Sequence, residues 1–319
     1  MARNREHRLI NLLLVATLVV SGIAGAQTLY KYRGDNGEWI YSDRPPDDGS
    51  ETETRSLQGQ VAKGEVLVSH ELTENGLTFT ATNRFHAPMQ VAISFASIVG
   101  VDFPHPDEEL HWVLPARSEQ VVLELALLED VPAPAVRYEF AYLPGDPAQQ
   151  PDTDYVYQAP FAVGNSFPIT QAYPETITHR TRDSMYAVDL AMPVGTDIFA
   201  ARDGIVFDVA STNFKGGLDR SEYADLANIV RILHDDGTYA VYAHLNWNSI
   251  RVGPGDRVRA GQYIADSGNT GFTSGPHLHF AVQRNVGRRV DSMRVTFNGP
   301  NGARITPVSG NSLTAYPRG

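Results

Sequence analysis

The chain has 319 residues and a formal net charge of −11 at pH 7. Its length accommodates two domains, or one domain with substantial additions. The acidic balance argues against binding to nucleic acid, which normally requires a basic surface. Because the chain contains no cysteine, disulfides, a lipid-modified N-terminal cysteine and thiolate ligands or nucleophiles are excluded. Any bound metal must therefore be held by histidine and carboxylate side chains.

Residues 1–26 have the features of a secretory signal peptide. Arg3, Arg5 and Arg8 precede an apolar run over residues 9–20, and small residues at 24–26 form the predicted cleavage site. The run is shorter than the ~20 residues that a membrane-spanning helix needs. We therefore expect export to the periplasm, or alternatively secretion, without a stable membrane anchor after cleavage. Retention of the segment as an anchor is the competing interpretation.

Residues 27–60 are predicted to form a small aromatic hairpin unit followed by an acidic linker. Two strand candidates, residues 29–32 and 37–41, are joined through Asp35-Asn36-Gly37, a favourable hairpin turn. Residues 47–60 are polar and acidic, which is typical of a linker. The pattern resembles a small domain of unknown function that is often found just behind the signal peptide of exported bacterial proteins.

Residues 61–150 are predicted to be a β-sandwich domain of the immunoglobulin-like kind. Apolar and β-branched runs alternate with turn residues, which indicates consecutive antiparallel strands. The predicted strands are residues 66–68, 77–81, 90–95, 121–125 and 138–142. The histidines at 86, 105 and 111 are expected in loops, where they have no role in chemistry.

Residues 151–300 have a different composition, with short strands punctuated by glycine. Residues 228–234 and 238–244 are predicted to form a hairpin. Further along, His277 and His279 would project from the same face of a strand. Two imidazoles at this spacing suit a metal site, where one binds zinc and the other lies within reach of whatever the metal binds. Residues 301–319 are expected to be a polar tail.

Several motifs lie upstream of the His-x-His pair. They are Tyr186-Ala187-Val188-Asp189, Tyr242-Ala243-His244-Leu245 and Gly268-Asn269-Thr270-Gly271. With His179, these motifs resemble in order and spacing the lysostaphin-like zinc endopeptidases, the M23 family that cuts peptidoglycan peptides. The resemblance covers about residues 158–300 and implies a catalytic domain built on an antiparallel β-sheet. The whole chain is therefore expected to be mainly β.

The resemblance implies a role for each residue of the site. His179, Asp189 and His279 fall at the positions of the zinc ligands, and His244 and His277 at those of the two catalytic histidines. Two neutral imidazoles and one carboxylate leave a coordination position open for water, as in a catalytic site with one zinc ion per chain. Water bound to such a zinc ion can have a pKa of ~7.

His179 departs from the commonest family pattern, because it lies ten residues before Asp189 rather than closer to it. A loop of this length closes at little extra cost in entropy. We therefore expect residues 180–185 to bulge outward while His179 still reaches the metal. Arg180 and Arg182 would then lie on the rim of the groove and meet carboxylates of the substrate.

The sequence thus predicts an exported zinc metalloendopeptidase that hydrolyses peptide cross-links of bacterial peptidoglycan, with other cell-wall enzymes as further partners. One alternative is a non-catalytic regulator or binding partner of cell-wall hydrolases. Such regulators usually lack several site residues, whereas this chain retains all of them. A histidine phosphotransfer domain is the third hypothesis, and export argues against it because phosphate donors are cytoplasmic.

Overall fold

The computed structural model describes residues 28–33, 39–42, 46, 52–56, 64–74, 76–103, 108–128 and 134–318, so the predicted signal peptide lies outside it. The chain divides into two compact units, Met1–Gln60 and Val61–Gly319. Within the described ranges, strands dominate and the α-helix α1 (Arg220–Tyr223) is one turn long. The prediction of a mainly β fold is therefore confirmed. No helix in these ranges is long and apolar enough to cross a membrane.

The first unit contains an antiparallel sheet of three strands, β1 (Thr28–Arg33), β2 (Trp39–Ser42) and β3 (Glu53–Ser56), in the order β2-β1-β3. The pairing of β1 with β2 confirms the predicted hairpin; its turn, residues 34–38, is outside the described residues. The prediction that residues 47–60 form a linker is wrong for Glu53–Ser56, which form β3. This strand pairs with the edge of β1 opposite to β2. Because a hairpin alone is only marginally stable, a third strand stabilises the sheet despite its polar sequence.

The second unit begins with a β-sandwich. Its strands are β4 (Val66–Thr73), β5 (Gly76–Asn83), β6 (Met89–Val99), β7 (Leu110–Leu114), β8 (Ser118–Leu125) and β9 (Ala135–Pro144). They form two antiparallel sheets with the orders β4-β5-β8 and β7-β6-β9. Phe79 of β5 packs against Phe95 of β6 and Tyr138 of β9, with ring centroids 5.4 and 5.3 Å apart. The immunoglobulin-like connectivity stays a prediction.

The edge strand β7 was not predicted. It contains His111, which the sequence placed in a loop. Only one of its five residues is buried, so the apolar alternation that identifies a half-buried strand is weak there. Backbone pairing with β6 holds this segment as a strand, which its own sequence does not indicate.

The rest of the second unit is built on one large sheet and three small ones. The large sheet contains β11 (Ser166–Gln171), β12 (Val188–Ala191), β14 (Gly204–Ala210), β16 (Ile229–Leu233), β17 (Tyr239–Ala243), β18 (Arg257–Val258), β21 (His277–Asn285), β22 (Val290–Met293) and β25 (Ser312–Thr314). The small sheets contain β10 (Val156–Tyr157), β13 (Asp197–Phe199), β15 (Gly216–Gly217), β19 (Tyr263–Asp266), β20 (Gly271–Phe272), β23 (Thr296–Asn298) and β24 (Arg304–Ile305), and a 3₁₀ turn spans Pro300–Gly302.

The nine strands of the large sheet are antiparallel and follow the order β18-β14-β16-β17-β21-β12-β11-β25, with β22 also paired to β21. The predicted hairpin is the β16–β17 pair. All five residues of β17 are buried. Ala240 and Tyr242 join a core with Leu278 and Phe280 on one face, while Tyr239 and Val241 point to the other. A continuous apolar run is typical of a strand covered on both faces.

The second face of the large sheet is covered in part by the sandwich. One hydrophobic cluster contains Val91 and Ile93 of β6 together with Phe207 of β14 and Tyr239 of β17. The Phe207 and Tyr239 rings meet edge to face, with centroids 5.4 Å apart. The sandwich and the large sheet therefore share a core. The boundary predicted near residue 150 falls in their connection but does not divide Val61–Gly319 into separate compact units.

A buried amide also ties the two parts together. Asn285 lies at the end of β21, and its Nδ2 donates to Oε1 of Gln90 and to the carbonyl of Gly145, both at 2.9 Å. Asn285 and Gln90 are both buried. Because an unpaired buried amide is costly, these hydrogen bonds fix how the sandwich sits on the sheet.

Residues 301–319 do not form the polar tail that the sequence predicted. Strand β24 pairs with β23, and β25 pairs with β11 at the edge of the large sheet. Leu313 and Ala315 are buried. The prediction is wrong because a sheet edge supplies backbone hydrogen bonds, so that two apolar side chains are enough to hold a polar segment in place.

Candidate active site

The His-x-His motif opens strand β21 in the middle of the large sheet. The register places His279 opposite Asp189 on β12 and opposite Ala243 at the end of β17. Residues that are paired across neighbouring strands project from the same face of a sheet. His277 lies two residues from His279 on the same strand, so it projects from that face as well. His244 follows β17 with a φ of 62°, which ends the strand beside that face. Strand pairing thus gathers Asp189, His244, His277 and His279.

His179 comes from the loop before β12 and completes the cluster. Its Nε2 lies 3.1 Å from Oδ2 of Asp189, and Nδ1 of His279 lies 2.9 Å from Oδ1 of the same carboxylate. The two imidazole rings are nearly perpendicular, with centroids 4.9 Å apart. The loop therefore brings His179 to Asp189 in spite of the ten-residue separation. That these three residues bind zinc stays a prediction.

The Asp189 carboxyl is held in its ionised form. Burial by itself would raise its pKa, but hydrogen bonds from His179 and His279, together with their charges, lower the pKa well below its usual range. A buried carboxylate between two imidazoles is stabilised by any cation that the three groups can share.

The three groups fit one small metal ion. Their candidate ligand atoms all lie within 4.8 Å of one another. Ligands placed ~2.0–2.1 Å from a tetrahedral zinc ion are separated by ~3.3 Å, close to the 3.1 and 2.9 Å measured between the nitrogens and the carboxylate oxygens. Two imidazoles and one carboxylate form a ligand set of catalytic zinc sites, which keep a fourth position open.

His244 and His277 form a second pair on the same face, with ring centroids 4.5 Å apart. Nδ1 of His244 lies 2.7 Å from the carbonyl oxygen of Thr270, and Nδ1 of His277 lies 2.8 Å from that of Gly275. A carbonyl oxygen can only accept, so each Nδ1 carries the proton. In the neutral ring, Nε2 is then an unprotonated base.

Both of these rings are placed for proton transfer near the cluster. Nε2 of His277 lies 3.9 Å from Oδ1 of Asp189, and His244 lines the same groove as His179 and His279. Loss of contact with water, followed by the effects of His277 and His279, lowers the pKa of His244 to about 3. His244 is therefore a neutral imidazole at neutral pH before substrate binds.

Arg180 and Arg182 do not line the groove as the sequence predicted. Nε of Arg180 donates to the carbonyl of Ile177 at 2.9 Å, and Nη1 of Arg182 lies 4.0 Å from Oδ2 of Asp291. Arg180 thus contacts the backbone of Ile177, and Arg182 approaches a carboxylate on β22. Of residues 180–185, those that line the groove are Thr181, Asp183 and Ser184.

Gln171, which the sequence did not identify, links the carboxylate to the loop that carries His179. Its Nε2 donates to Oδ2 of Asp189 at 2.7 Å, and its Oε1 accepts from the backbone N–H groups of Ile177 and Thr178, both at 2.8 Å. Gln171 lies at a register shift between β11 and β12. A polar residue at the end of a strand is too common to be singled out from sequence alone.

Replacing Gln171 by leucine is expected to weaken zinc binding by ~10–100-fold, the usual effect of losing a group that orients a metal ligand. The change removes the donor to Asp189 and leaves two backbone N–H groups of the loop without their acceptor. Competition with a chromogenic chelator would measure the affinity. Gln262→Leu is the matched control, because Gln262 lies in an exposed turn before β19 and its Oε1 accepts from the nearby backbone N–H of Arg259. Equal affinities in the two variants would contradict the role of Gln171.

Two family patterns match the chain. Residues 183–292 match peptidase family M23, and residues 16–64 match a domain of unknown function, DUF4124. The first match contains Asp189, His244, His277 and His279, whereas His179 lies just before it. The second match contains all three strands of the N-terminal sheet, in agreement with the resemblance drawn from the hairpin.

Curated relatives match over the same region. The glycyl-glycine endopeptidase ALE-1 of Staphylococcus capitis is 39% identical over 101 residues, which are 31% of this chain and 25% of that protein. Lysostaphin of Staphylococcus simulans is 35% identical over 96 residues, 30% of this chain and 17% of that protein. The peptidoglycan DD-endopeptidase ShyA of Vibrio cholerae is 31% identical over 150 residues, 47% of this chain and 31% of that protein. The chain thus spans less than a third of the length of each relative.

Proposed function

We propose that this chain, whose residues 183–292 form a peptidase family M23 domain, is an exported zinc-dependent endopeptidase that hydrolyses peptide cross-links of bacterial peptidoglycan. Relatives of the domain include proteins named as a glycyl-glycine endopeptidase and a peptidoglycan DD-endopeptidase. The substrate class of this chain is inferred from these relatives and from the chemistry of its groove.

The observation that carries the proposal is the convergence of two histidine pairs on Asp189 in one open groove. His179 and His279 contact the carboxylate directly, and His244 and His277 line the groove beside it. A structural zinc site is closed by four protein ligands. Here three candidate ligands face a groove of about 590 Å³, which leaves room for water and a peptide.

His179, Asp189 and His279 would hold the metal through Nε2, a carboxylate oxygen and Nδ1 respectively. When bound, Zn²⁺ would polarise a peptide carbonyl and make a water molecule more acidic. Because Asp189 remains ionised, the ligand set carries one negative charge that offsets part of the charge of the cation. The site is thus suited to a single divalent ion.

His244 and His277 would move the protons that peptide hydrolysis requires. With Nδ1 fixed on a backbone carbonyl, each ring can accept a proton at Nε2 from the attacking water and, once protonated, donate it to the leaving amine. A protonated ring also stabilises negative charge on the carbonyl oxygen. Both histidines have the same hydrogen-bonding arrangement, so in each neutral ring the unprotonated nitrogen is Nε2.

The alternative of a non-catalytic regulator is less well supported, because the five residues that the resemblance assigns to zinc binding and catalysis are all present and lie in one cluster. Export is inferred from residues 1–26 and from the DUF4124 match over residues 16–64. Peptidoglycan peptides are the proposed partners, and further cell-wall enzymes remain part of the proposal.

Elemental analysis of the purified protein, together with incubation on isolated peptidoglycan, tests the proposed function. About one zinc ion per chain is expected, because the site has a single set of three ligands. Mass spectrometry should detect fragments in which a cross-link peptide bond has gained water. Chelation should stop the reaction and added zinc should restore it. Protein that contains no zinc and stays inactive after zinc is added would refute the enzyme and favour the regulator.

A further inference from the structure

Arg220 places a guanidinium group on the wall of the groove that holds the histidine cluster. Its side chain lines the groove together with Leu218 and Phe272, and its Cζ lies 5.6 Å from the centre of the Phe272 ring. The parallel pairing of β15 with β20 joins the two segments from which these side chains project. The position of the cation is thus set by the strand that leads into His277.

Among the residues that the structure describes, Arg220 has no acidic partner. Oδ1 of the preceding Asp219 accepts instead from the backbone N–H and the hydroxyl of Ser221, at 2.9 and 2.7 Å. The Arg220 guanidinium therefore contacts an aromatic face and remains available to an anion.

No other lysine or arginine lines this groove in the described part of the chain. The remaining charged or titratable side chains that line it are Asp183, Asp189 and the four histidines of the cluster. With a net charge of −11, the protein as a whole repels anions. A single unpaired cation is then the feature of the groove that favours a negatively charged peptide.

The geometry points to Arg220 as a specificity-determining residue that binds a free carboxylate of the substrate peptide. This inference rests on the proposed function, because it takes the groove to be a peptide site. A guanidinium group presents a planar fork of N–H donors that matches a carboxylate. Ile177 and Leu218 also line the groove, and each is 71% exposed. They offer apolar contacts to aliphatic parts of the same peptide.

Two synthetic cross-linked peptides that differ only in one carboxylate, free in one and amidated in the other, provide the test. We expect Arg220→Gln to lower kcat/KM for the acidic peptide by ~10–100-fold, the effect of losing a charged hydrogen bond. Hydrolysis of the amidated peptide should change little. Arg220→Lys should recover part of the loss, because it restores the charge without the fork. Arg257→Gln on the distant edge strand β18 changes the net charge equally and should match the wild type on both peptides.

Binding of non-hydrolysable analogues of the two peptides, measured by calorimetry, separates this inference from the proposed function. The acidic analogue should bind the wild type more tightly, and Arg220→Gln should remove the difference. If the wild type binds in this way but hydrolyses neither peptide, the proposed enzyme fails and the carboxylate site stands. Equal losses on both peptides in Arg220→Gln, or no preference in the wild type, would overturn the inference.

Discussion

Replacing Asp189 by alanine is expected to abolish zinc binding and hydrolysis together. Replacing His277 by alanine should instead leave zinc bound while hydrolysis falls by ~10² or more. Asp189 is the carboxylate that both His179 and His279 contact. Without it, two imidazoles and no anion would face the cation. The loss of one of three ligands, together with its negative charge, removes the basis of the site.

His277 differs because it lies outside the proposed ligand set. Its Nδ1 is held by the carbonyl of Gly275 at 2.8 Å, and its Nε2 stays 3.9 Å from the nearest Asp189 oxygen. Alanine at this position removes the proposed proton carrier and should leave His179, Asp189 and His279 in place. Hydrolysis and metal content should therefore separate in this variant, although they fall together in the Asp189 variant.

Zinc content by elemental analysis and hydrolysis of isolated peptidoglycan would be measured on the same preparations. Asp183→Ala is the control for Asp189, because Asp183 is an exposed carboxylate that lines the same groove. His70→Ala is the control for His277, because His70 lies on β4 of the sandwich. Full zinc in Asp189→Ala would show that the ligand assignment is wrong. Loss of zinc in His277→Ala would show that the roles proposed for His277 and His279 have to be exchanged.

The common face of His277 and His279 could be predicted from sequence because it depends on local geometry. A period of two places His277 and His279 on one face, and β12 carries Asp189 opposite His279, whereas His244 follows Ala243, the last paired residue of β17. The grouping of these residues with His179 is implied by the resemblance to the M23 family, since the strand order that brings them together cannot be read from the local sequence. The structure adds the hydrogen-bonding state of each ring, which depends on the carbonyls of Thr270 and Gly275.

Contacts between distant segments were not predictable in the same way. Gln171 acts by reaching a carboxylate and a loop at once, and no periodicity marks such a residue. Strands β3 and β25 have polar sequences. Each is held in place by backbone pairing with another strand, β1 for β3 and β11 for β25. The position of Arg220 likewise depends on a two-residue pairing between β15 and β20. Each of these features depends on a tertiary partner rather than on its own sequence.

Replacing Val91 by aspartate is expected to lower the free energy of unfolding of the whole second unit by about 4 kcal/mol or more, the scale of burying an unpaired charge. Val91 is fully buried in the cluster that the sandwich shares with Phe207 and Tyr239 of the large sheet. Destabilising the sandwich also removes part of the cover from those two rings. Calorimetry would detect the unfolding transitions of the second unit, and the loss of hydrolysis on heating would report on the site.

Val121→Asp on β8 is the matched control, because the Val121 side chain is 56% exposed in the same sandwich and its replacement should change stability by no more than ~0.5 kcal/mol. If the sandwich were an independent domain beside the catalytic sheet, Val91→Asp would produce an early transition of the sandwich alone, and hydrolysis would persist above it. A shared core requires the two parts to unfold together. A single transition that coincides with the loss of activity is therefore expected, since the face covered by the sandwich is the one from which Asp189 and His279 project.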